Sequence, residues 1–386
     1  MSAQPVEQEQ RVSPLELFFD LVFVFAFTQV TTVLSSNPTW SGLEHALLLL
    51  TALWWAWAAY AWLTNAVDPG EGLVWGTMLG ASGAMFVGAL AVPEAFGGHG
   101  VVFGVAFLIV ALMQVSLYAL SARDDPDLLK AILRIAPSSI AGATLIVAAG
   151  FVHGGLKPLL WLIALAVGFF APLVARPSGW RLHPAHFVER HGLIVIIAIG
   201  ESLVAIGLGV QRGGLGAEEI VAGVLGFAVA ASFWLAYFDF FTIRAQRLLA
   251  DRSGVQQIAL ARDTYTYLHL PMVVGIVLFA FAVKTTLAHV HHQLSIVPAL
   301  ALCGGPALYL LAYVGLRFRV ARAIGGGRLV AAVVCAALVP AALAVQAIVA
   351  LALVTAVWVV LHAYELIWWR AARAELRAER APASAS

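Results

Sequence analysis

A chain of 386 residues that is 62% hydrophobic and only 11% charged does not have the composition of an ordinary soluble domain. Its formal net charge of +1 says little by itself, but its sequence contains no nucleotide-binding or hydrolase motif and offers no support for nucleic-acid binding. Its mean hydropathy of +0.92 instead indicates a chain that lies largely within a lipid bilayer.

Apolar stretches of about 20 residues follow one another along the chain, and each can cross a hydrocarbon layer about 30 Å thick. They are predicted at 17–36, 43–65, 73–95, 101–121, 131–152, 157–175, 191–210, 218–242, 264–285, 295–316, 329–347 and 348–369. We therefore predict an all-α polytopic membrane protein with about twelve transmembrane helices.

The basic residues predict the orientation of these helices. If the N-terminus is cytosolic, all but three of the 22 lysines and arginines fall on the inner side, the exceptions being Lys157, Arg212 and Lys284. Because basic residues resist translocation, both termini are expected in the cytosol. Arginines at the inner face are expected to contact anionic lipid headgroups.

The helices divide evenly at a cytosolic linker. The predicted parts are an N-terminal tail (1–13), a six-helix half (14–176), the linker (177–187), a second six-helix half (188–369) and a basic tail (370–386). Both halves would enter from the cytosol, so a duplication would be parallel. Two observations favour such a duplication. Trp-Ala-Ala-Tyr at 57–60 reappears as Trp-Leu-Ala-Tyr at 234–237, and span 1 aligns without gaps on span 7, which places Gln29 opposite Glu201. The alternative is a twelve-helix fold without a repeat.

The start of the first span contains a capping motif and, one turn deeper, a carboxylate that is too far from the helix end to cap it. Ser13-Pro14-Leu15-Glu16 has the spacing of a capping box with proline at the first helical position. Asp20 lies one turn deeper, where a capping role cannot apply. It either pairs with an arginine at the inner end of a neighbouring helix or lines a path for a solute or ion.

The seventh span is the most charged of the twelve. Its cytosolic entrance contains Glu189, Arg190 and His191, and Glu201 follows inside the apolar run. We expect Glu189 to be a capping or ion-pair residue. Arg190 and Glu201 are separated by roughly 16 Å along a helix, so they cannot pair directly. A charge at mid-membrane costs about 2.5–3.5 kcal/mol. Glu201 is therefore expected to be neutral, matched by another helix or hydrated. It is the leading functional candidate, and its alternative role is a hydrogen bond that serves helix packing.

Other intramembrane polar residues are weaker candidates for the same path. They are Gln29 in span 1, Gln114 in span 4, Asp239 in span 8 and His269 in span 9. An outer loop contains three histidines, His289, His291 and His292, without a carboxylate or cysteine at fixed spacing. We therefore expect no metal site there, and we expect no other cofactor.

Two segments carry a resemblance to a known family. Residues 12–26, Val-Ser-Pro-Leu-Glu-Leu-Phe-Phe-Asp-Leu-Val-Phe-Val-Phe-Ala, resemble the opening signature of bacterial low temperature requirement A proteins. Residues 186–193 with Gly-Glu-Ser at 200–202 are similar to that family's second signature. The resemblance spans roughly residues 10–370 and implies a multi-span bacterial inner-membrane protein without a settled molecular activity. It implies that six residues are motif positions and assigns them no chemistry: Glu16, Asp20, Glu189, Arg190, His191 and Glu201.

The leading functional hypothesis is a permease or channel for a small solute or ion. Its path would run between the halves, with Glu201 at the deepest point and the vestibule lined by Asp20, Arg190, His191, Asp239 and His269. One rival is an intramembrane enzyme that uses these groups as general acids and bases on lipid-like substrates. Another is a non-catalytic membrane protein that supports growth in the cold. A homo-oligomer is compatible with each of these.

Overall fold

The computed structural model describes residues 12–67, 72–175, 179–238 and 241–368, with the backbone alone for 241–244. Within these ranges, twelve helical segments are long and apolar enough to cross a membrane. This confirms the predicted all-α fold and the number of membrane-crossing segments.

The described helices are α1 (Pro14–Ser36), α2 (Trp40–Ala66), α3 (Gly72–Ala91), α4 (Gly100–Ser121), α5 (Pro126–Gly150), α6 (Leu156–Val174), α7 (Pro184–Gly213), α8 (Ala217–Phe238), α9 (Phe241–Ala250), α10 (Gly254–Ala261), α11 (His269–Ala288), α12 (Ile296–Ala321), α13 (Gly326–Ala337), α14 (Val339–Ala344) and α15 (Ala347–Trp368). The ninth membrane segment joins α10 to α11, and the eleventh joins α13 to α14. Helix α9 is too short to be a crossing segment.

Local sequence explains where several helices begin. The Ser13 side chain caps α1, and Pro14 occupies the first turn, as predicted. Asp125 caps α5 by accepting a hydrogen bond from the Leu128 amide at 3.3 Å, and proline again follows the cap. Proline suits this position because the first helical amides have no partner within the helix.

The ninth segment begins at Gly254, not at residue 264 as predicted. Two glutamines, Arg262 and Asp263 lower the local hydropathy, so the hydropathy pattern missed the first turns. A single π-helical turn, Arg262–Tyr267, connects α10 to α11. Such turns release backbone groups from the regular helical hydrogen-bond pattern and are frequent at functional sites.

The central helices of the bundle are α1, α7 and α11. Helix α1 contacts α2, α3, α7 and α11, and α7 contacts α8 and α11. The first helices of the two predicted halves therefore touch each other directly. Helices α11 and α12 approach so closely that a Cβ atom on Gly275 would lie 2.5 Å from the Gly305 carbonyl oxygen. Small residues at helix contacts allow this approach in membrane proteins.

The outer surface of the bundle is apolar. Large side chains such as Leu21, Phe170, Val224 and Val360 are more than half exposed. A surface of this kind is suited to lipid tails, because the helices satisfy their own backbone groups. The orientation in the membrane and the internal repeat stay predictions.

Candidate functional site

The beginnings of α1 and α7 lie side by side at one end of the bundle. The Ser13 hydroxyl accepts a hydrogen bond from the Glu16 amide at 3.3 Å, and Glu16 Oε2 accepts one from the Ser13 amide at 2.9 Å. The same fully buried carboxylate contacts Nε2 of His186, which is 3.1 Å from Oε1 and 3.2 Å from Oε2. Glu16 therefore caps its own helix, as predicted, and also joins α1 to α7.

Asp20 pairs with Arg190, one turn deeper on the same two helices. Nη1 of Arg190 donates to Asp20 Oδ2 at 2.8 Å, and the Trp57 indole donates to Oδ1 at 2.8 Å. Nε of Arg190 lies 3.6 Å from Glu16 Oε1. The structure thus has the ion pair that was one of the two interpretations of Asp20. We call these four side chains the charged cluster: Glu16, Asp20, His186 and Arg190.

Asn65 on α2 fixes the hydrogen-bonding roles of His186. The Asn65 Oδ1 atom accepts from the His183 amide at 2.8 Å, and its Nδ2 donates to the His183 carbonyl at 2.9 Å. Nδ2 also lies 3.2 Å from His186 Nδ1, so that ring nitrogen must accept. The proton of neutral His186 is therefore on Nε2, where it is donated to Glu16. These proton positions are inferred from the hydrogen-bond partners.

His191 follows the cluster on α7 and lies among aromatic rings. Its Nδ1 is 2.8 Å from the Phe187 carbonyl oxygen, so Nδ1 carries the proton of the neutral ring. Its ring centroid is 5.0 Å from that of Trp57 and 4.9 Å from that of Tyr265. Nε2 is buried and has no hydrogen-bond partner among the described residues.

The π-helical turn supplies carbonyl acceptors to this region. Nδ1 of His269 donates to the Thr264 carbonyl at 2.9 Å, so Nε2 accepts from the Tyr237 hydroxyl, also at 2.9 Å. The Trp54 indole donates to the Thr266 carbonyl at 2.9 Å, and that of Trp62 donates to the Thr266 hydroxyl oxygen at 2.9 Å. The turn therefore connects α2, α8 and α11 at the centre of the bundle.

Glu201 lies deeper in the contact between α1 and α7. Its side chain is fully buried, and each carboxyl oxygen contacts one threonine of α1. Thr28 Oγ1 is 2.5 Å from Oε2, and Thr31 Oγ1 is 2.6 Å from Oε1. Within the described residues, no basic group lies within ion-pair distance of this carboxyl. We call these three side chains the Glu201 site.

Each of the two threonine hydroxyls also has a backbone acceptor. Thr28 Oγ1 is 3.1 Å from the Val24 carbonyl oxygen, and Thr31 Oγ1 is 2.9 Å from the Thr28 carbonyl oxygen. A hydroxyl has one hydrogen, so it can donate to the carboxylate or to the backbone but not fully to both. If Glu201 is ionised, both hydroxyls turn toward it. If Glu201 is protonated, its own O–H donates to one threonine, which then donates to its backbone carbonyl.

The charged cluster and the Glu201 site lie at two levels of the same helix contact. Along α7, Arg190 and Glu201 are separated by roughly 16 Å. Five side chains that lie between these levels on the two helices are apolar and fully buried: Phe23, Phe27, Ile194, Val195 and Ala198.

A cavity of about 110 Å³ lies beside α2. Its lining is mostly apolar and comes from α2, α4, α5, α6 and the region of the π-helical turn. Gln114 is part of this lining and donates a long hydrogen bond of 3.4 Å to the Ala59 carbonyl. Gln114 therefore lies by this cavity, away from Glu201.

The remaining predicted residues occupy varied positions. Glu189 is exposed, and its Oε2 lies 3.4 Å from the Val12 amide. Gln29 is half-buried on α1 between the two threonines of the Glu201 site. Asp239 lies outside the described residues. His291 is exposed and 2.8 Å from Glu218, and the described residues contain no group of three or more His, Cys, Asp or Glu side chains arranged so that they could hold a metal ion.

Sequence reasoning missed the partners that complete these sites. Asn65, Trp57 and Thr31 look like ordinary residues of a transmembrane helix, and only their hydrogen bonds reveal them. It also missed a second buried ion pair, in which Arg328 Nε lies 2.6 Å from Glu365 Oε1. The side chains of this pair are 8% and 11% exposed, respectively.

The fold and these buried polar sites define a multi-pass α-helical membrane protein with charged groups at its central helix contact. The model of the family described as bacterial low temperature requirement A protein (LtrA) matches residues 11–363. The chain belongs to this family, which confirms the resemblance found in its two motifs.

The chain is also similar to an uncharacterized protein of Rhizobium meliloti (strain 1021). The two are 34% identical over 312 residues, which cover 76% of this chain and 74% of the relative. This relative supports membership of a shared family and carries no statement of an activity.

Proposed function

We propose that this protein is a permease or channel for a small solute or ion in the bacterial cytoplasmic membrane, with a path along the contact between α1 and α7. The observation that carries the proposal is the Glu201 site, a buried carboxyl whose contacts within ion-pair or hydrogen-bond distance are hydroxyls. The charged cluster would form the cytosolic part of the path.

The energetic cost of Glu201 supports a functional role. A charged residue near mid-membrane costs about 2.5–3.5 kcal/mol, and an apolar residue would fill a helix contact without that cost. Buried polar groups of this kind are usually found facing a partner, a cavity or a translocated ion. The neighbouring Ser202 hydroxyl is also buried and has no hydrogen-bond partner among the described residues. Such an atom is commonly completed by water.

The threonine contacts support a carboxyl that changes its protonation state. Both states of Glu201 can keep both threonine contacts, because protonation reverses one of the two hydrogen bonds and turns that threonine hydroxyl toward its backbone carbonyl. The change needs no repacking of helices. A group that can take up and release a proton without disturbing its surroundings is suited to coupling proton movement to solute movement.

The apolar residues between the two levels are consistent with a closed state of the path. Apolar constrictions in channels exclude water and ions until the helices separate. In this proposal, separation of α1 from α7 would hydrate both levels and release Glu201 from its threonines.

The experiment that tests the proposal is flux through the full-length protein reconstituted in liposomes, with protons, alkali cations and small organic solutes assayed in turn. Glu201→Gln preserves the size of the side chain, and the amide is neutral at every pH, as the protonated carboxyl is. We expect it to reduce flux by at least about tenfold, which corresponds to about 1.4 kcal/mol in the barrier.

The matched control is Glu189→Gln, the same substitution at an exposed position of the same helix. It is expected to retain wild-type flux, and thermal unfolding of both variants checks that each is folded. Equal flux in wild type and Glu201→Gln, or no wild-type flux above that of empty liposomes, would refute the proposal.

The cavity beside α2 favours a second candidate, an intramembrane enzyme acting on lipid-like substrates. Its apolar lining is suited to an acyl or isoprenoid chain. The described residues that line it contain no carboxylate and no histidine. The cavity thus offers less support for acid–base chemistry than the Glu201 site offers for transport.

Ala136→Phe, which fills part of the cavity, separates the two candidates. If the cavity is a substrate site, the variant loses a lipid that co-purifies with wild type and is identified by mass spectrometry. If the protein is a permease, its flux stays at the wild-type level.

A further inference from the structure

We propose that the cavity beside α2 binds an anionic phospholipid, whose phosphate contacts Arg262 and whose acyl chain enters the apolar part of the cavity. The lipid is a bound ligand that is not consumed. This site goes beyond the proposed permease and does not depend on it, because a lipid can occupy the cavity whether or not a solute crosses along α1 and α7.

The size and lining of the cavity suit part of an acyl chain. Most of the side chains that line it are apolar, and they include the rings of Trp55, Trp62 and Trp180. Its volume of about 110 Å³ approaches that of apolar cavities that hold a benzene-sized molecule, about 150 Å³. A short segment of a chain fits such a space, so the rest of the lipid would lie against the outside of the bundle.

The end of α6 separates the cavity from the lipid-facing surface. Pro172 and Ala175 line the partly open cavity, whereas Leu173 and Val174 between them are exposed, Val174 to 84%. Apolar surface of this kind faces lipid tails in a membrane protein. The wall is therefore a single helix thick, and a lipid beside α6 is close enough to insert one chain.

A positive charge lies at the edge of the cavity. Arg262 is part of the lining, and its Nε and Nη2 donate to Asp263 Oδ1 at 2.9 and 2.8 Å. Arg319 is bound to the other oxygen of the same carboxylate, with Nε and Nη2 each 3.0 Å from Oδ2. Two guanidiniums share one carboxylate, so these three partly exposed groups carry a net charge of +1. One bound phosphate diester, which carries a single negative charge, would balance it.

Arg262 keeps hydrogen-bond donors for such a phosphate. A guanidinium has five N–H groups. Asp263 accepts from two of them, and the Pro172 carbonyl accepts a third, from Nη1 at 2.8 Å. One N–H on each terminal nitrogen is left, and a pair of this kind suits the oxygens of a phosphate.

Aromatic contacts show at which end of the bundle this charge lies. The ring centroid of Trp62, which lines the cavity, is 4.8 Å from that of Phe187 and 5.9 Å from that of Trp180. Phe187 follows His186 of the charged cluster, so the cavity lies at the same end, which is predicted to be cytosolic. Tryptophans are enriched at the membrane interface, and basic groups on the cytosolic side attract anionic lipids. A zwitterionic headgroup would bring a cation toward the two arginines, which favours an anionic one.

The preference for charge is tested by native mass spectrometry of the full-length protein after removal of its lipids in detergent. Phosphatidylglycerol and phosphatidylcholine with the same acyl chains are added separately. We expect one phosphatidylglycerol to bind with at least about tenfold higher apparent affinity than phosphatidylcholine. Equal binding of the two lipids would overturn the proposal, because the headgroup charge would then not be recognised.

Variants locate the bound lipid. Arg262→Gln should abolish the preference for phosphatidylglycerol, and Ala136→Phe should weaken binding of both lipids, because its ring occupies the space of the chain. Arg181→Gln is the matched control, since Arg181 forms an exposed ion pair with Asp125 and does not line the cavity. It should bind both lipids as wild type does.

Arg319→Gln tests the charge if Arg262→Gln fails to fold. Its side chain does not line the cavity, so the substitution leaves the lining intact and lowers the net charge of the three groups to zero. The preference for phosphatidylglycerol should fall at least about threefold. An unchanged preference in the folded arginine variants, or undiminished binding in Ala136→Phe, would place the lipid elsewhere and overturn the proposal.

The mass of the recovered lipid separates a bound ligand from a substrate. After incubation with wild type, phosphatidylglycerol should be recovered at its original mass. A cleaved or modified lipid would show that the cavity is a catalytic site and would overturn this proposal. Flux in liposomes is a separate measurement, so failure of the lipid site and failure of the permease proposal are distinguishable.

Discussion

The contact between α1 and α7 holds two kinds of buried carboxylate. In the charged cluster, Asp20 is paired with a guanidinium at 2.8 Å and an indole at 2.8 Å. At the Glu201 site, the partners of the carboxyl among the described residues are two hydroxyls, at 2.5 and 2.6 Å. The first arrangement fixes a charge, because removal of one partner leaves the other unpaired in the interior. The second fixes no charge, because its two partners are neutral hydroxyls. The cluster therefore joins the two helices through charged groups, whereas the Glu201 site joins them through hydroxyls.

The largest expected effect comes from breaking the charged cluster. Arg190→Met leaves two buried carboxylates without their guanidinium and should destabilise the protein by about 3–5 kcal/mol. Thermal unfolding in detergent measures the loss. Arg181→Met is the control, because Arg181 forms an exposed ion pair with Asp125. Equal melting temperatures for the two variants would contradict the role of the cluster.

The Arg328–Glu365 pair shows whether a buried ion pair needs both of its charges. Arg328→Met alone leaves Glu365 unpaired and should also cost about 3 kcal/mol or more. In the double variant Arg328→Met/Glu365→Leu, no charge is left, and most of that stability should return. The melting temperatures of the single and double variants are compared. If the double variant is as unstable as the single one, the unpaired charge of Glu365 is not the cause of the loss.

Smaller effects are expected at the Glu201 site. Thr28→Val and Thr31→Val each remove one hydroxyl at little change in shape, and each should cost about 1–3 kcal/mol. The cost should fall when Glu201→Gln is present, because the amide needs fewer donors than a carboxylate. A double-mutant cycle on the unfolding free energy measures this coupling. Additive costs would show that the threonines do not support the carboxyl.

The smallest expected effect is at Glu189. This residue shares its helix and its predicted family motif with Arg190 and Glu201 but is exposed, so Glu189→Gln should change stability by no more than about 0.5 kcal/mol. Its thermal unfolding is compared with that of wild type. A large loss would show that the contact with the Val12 amide fixes the N-terminal segment.

Much of the fold could be predicted from the sequence because each membrane segment is a local property of about 20 residues. The cap at Ser13 and Glu16 was equally local. The pairing of Asp20 was left open, because helix spacing identifies which residues share a face but not which helix lies opposite. His186 and Asn65 come from distant parts of the chain, and only the packing of α2 against α7 brings them together.

The start of the ninth segment shows a different limit. Hydropathy averages over a window, so the polar residues around Arg262 concealed a helix that continues through them. The π-helical turn has no sequence pattern that separates it from an ordinary turn. The acceptors that it supplies to Trp54 and His269 could therefore not be foreseen.

The close approach of α11 and α12 at Gly275 and Gly305 limits how the bundle can rearrange. Their backbones are already in contact, and sliding one helix along the other would drive a carbonyl into the opposite chain. Helix α1 lies against α11 without being part of that pair. A bulkier side chain at Gly275 would therefore separate α11 from α12 and disturb the helix against which α1 and α7 also pack.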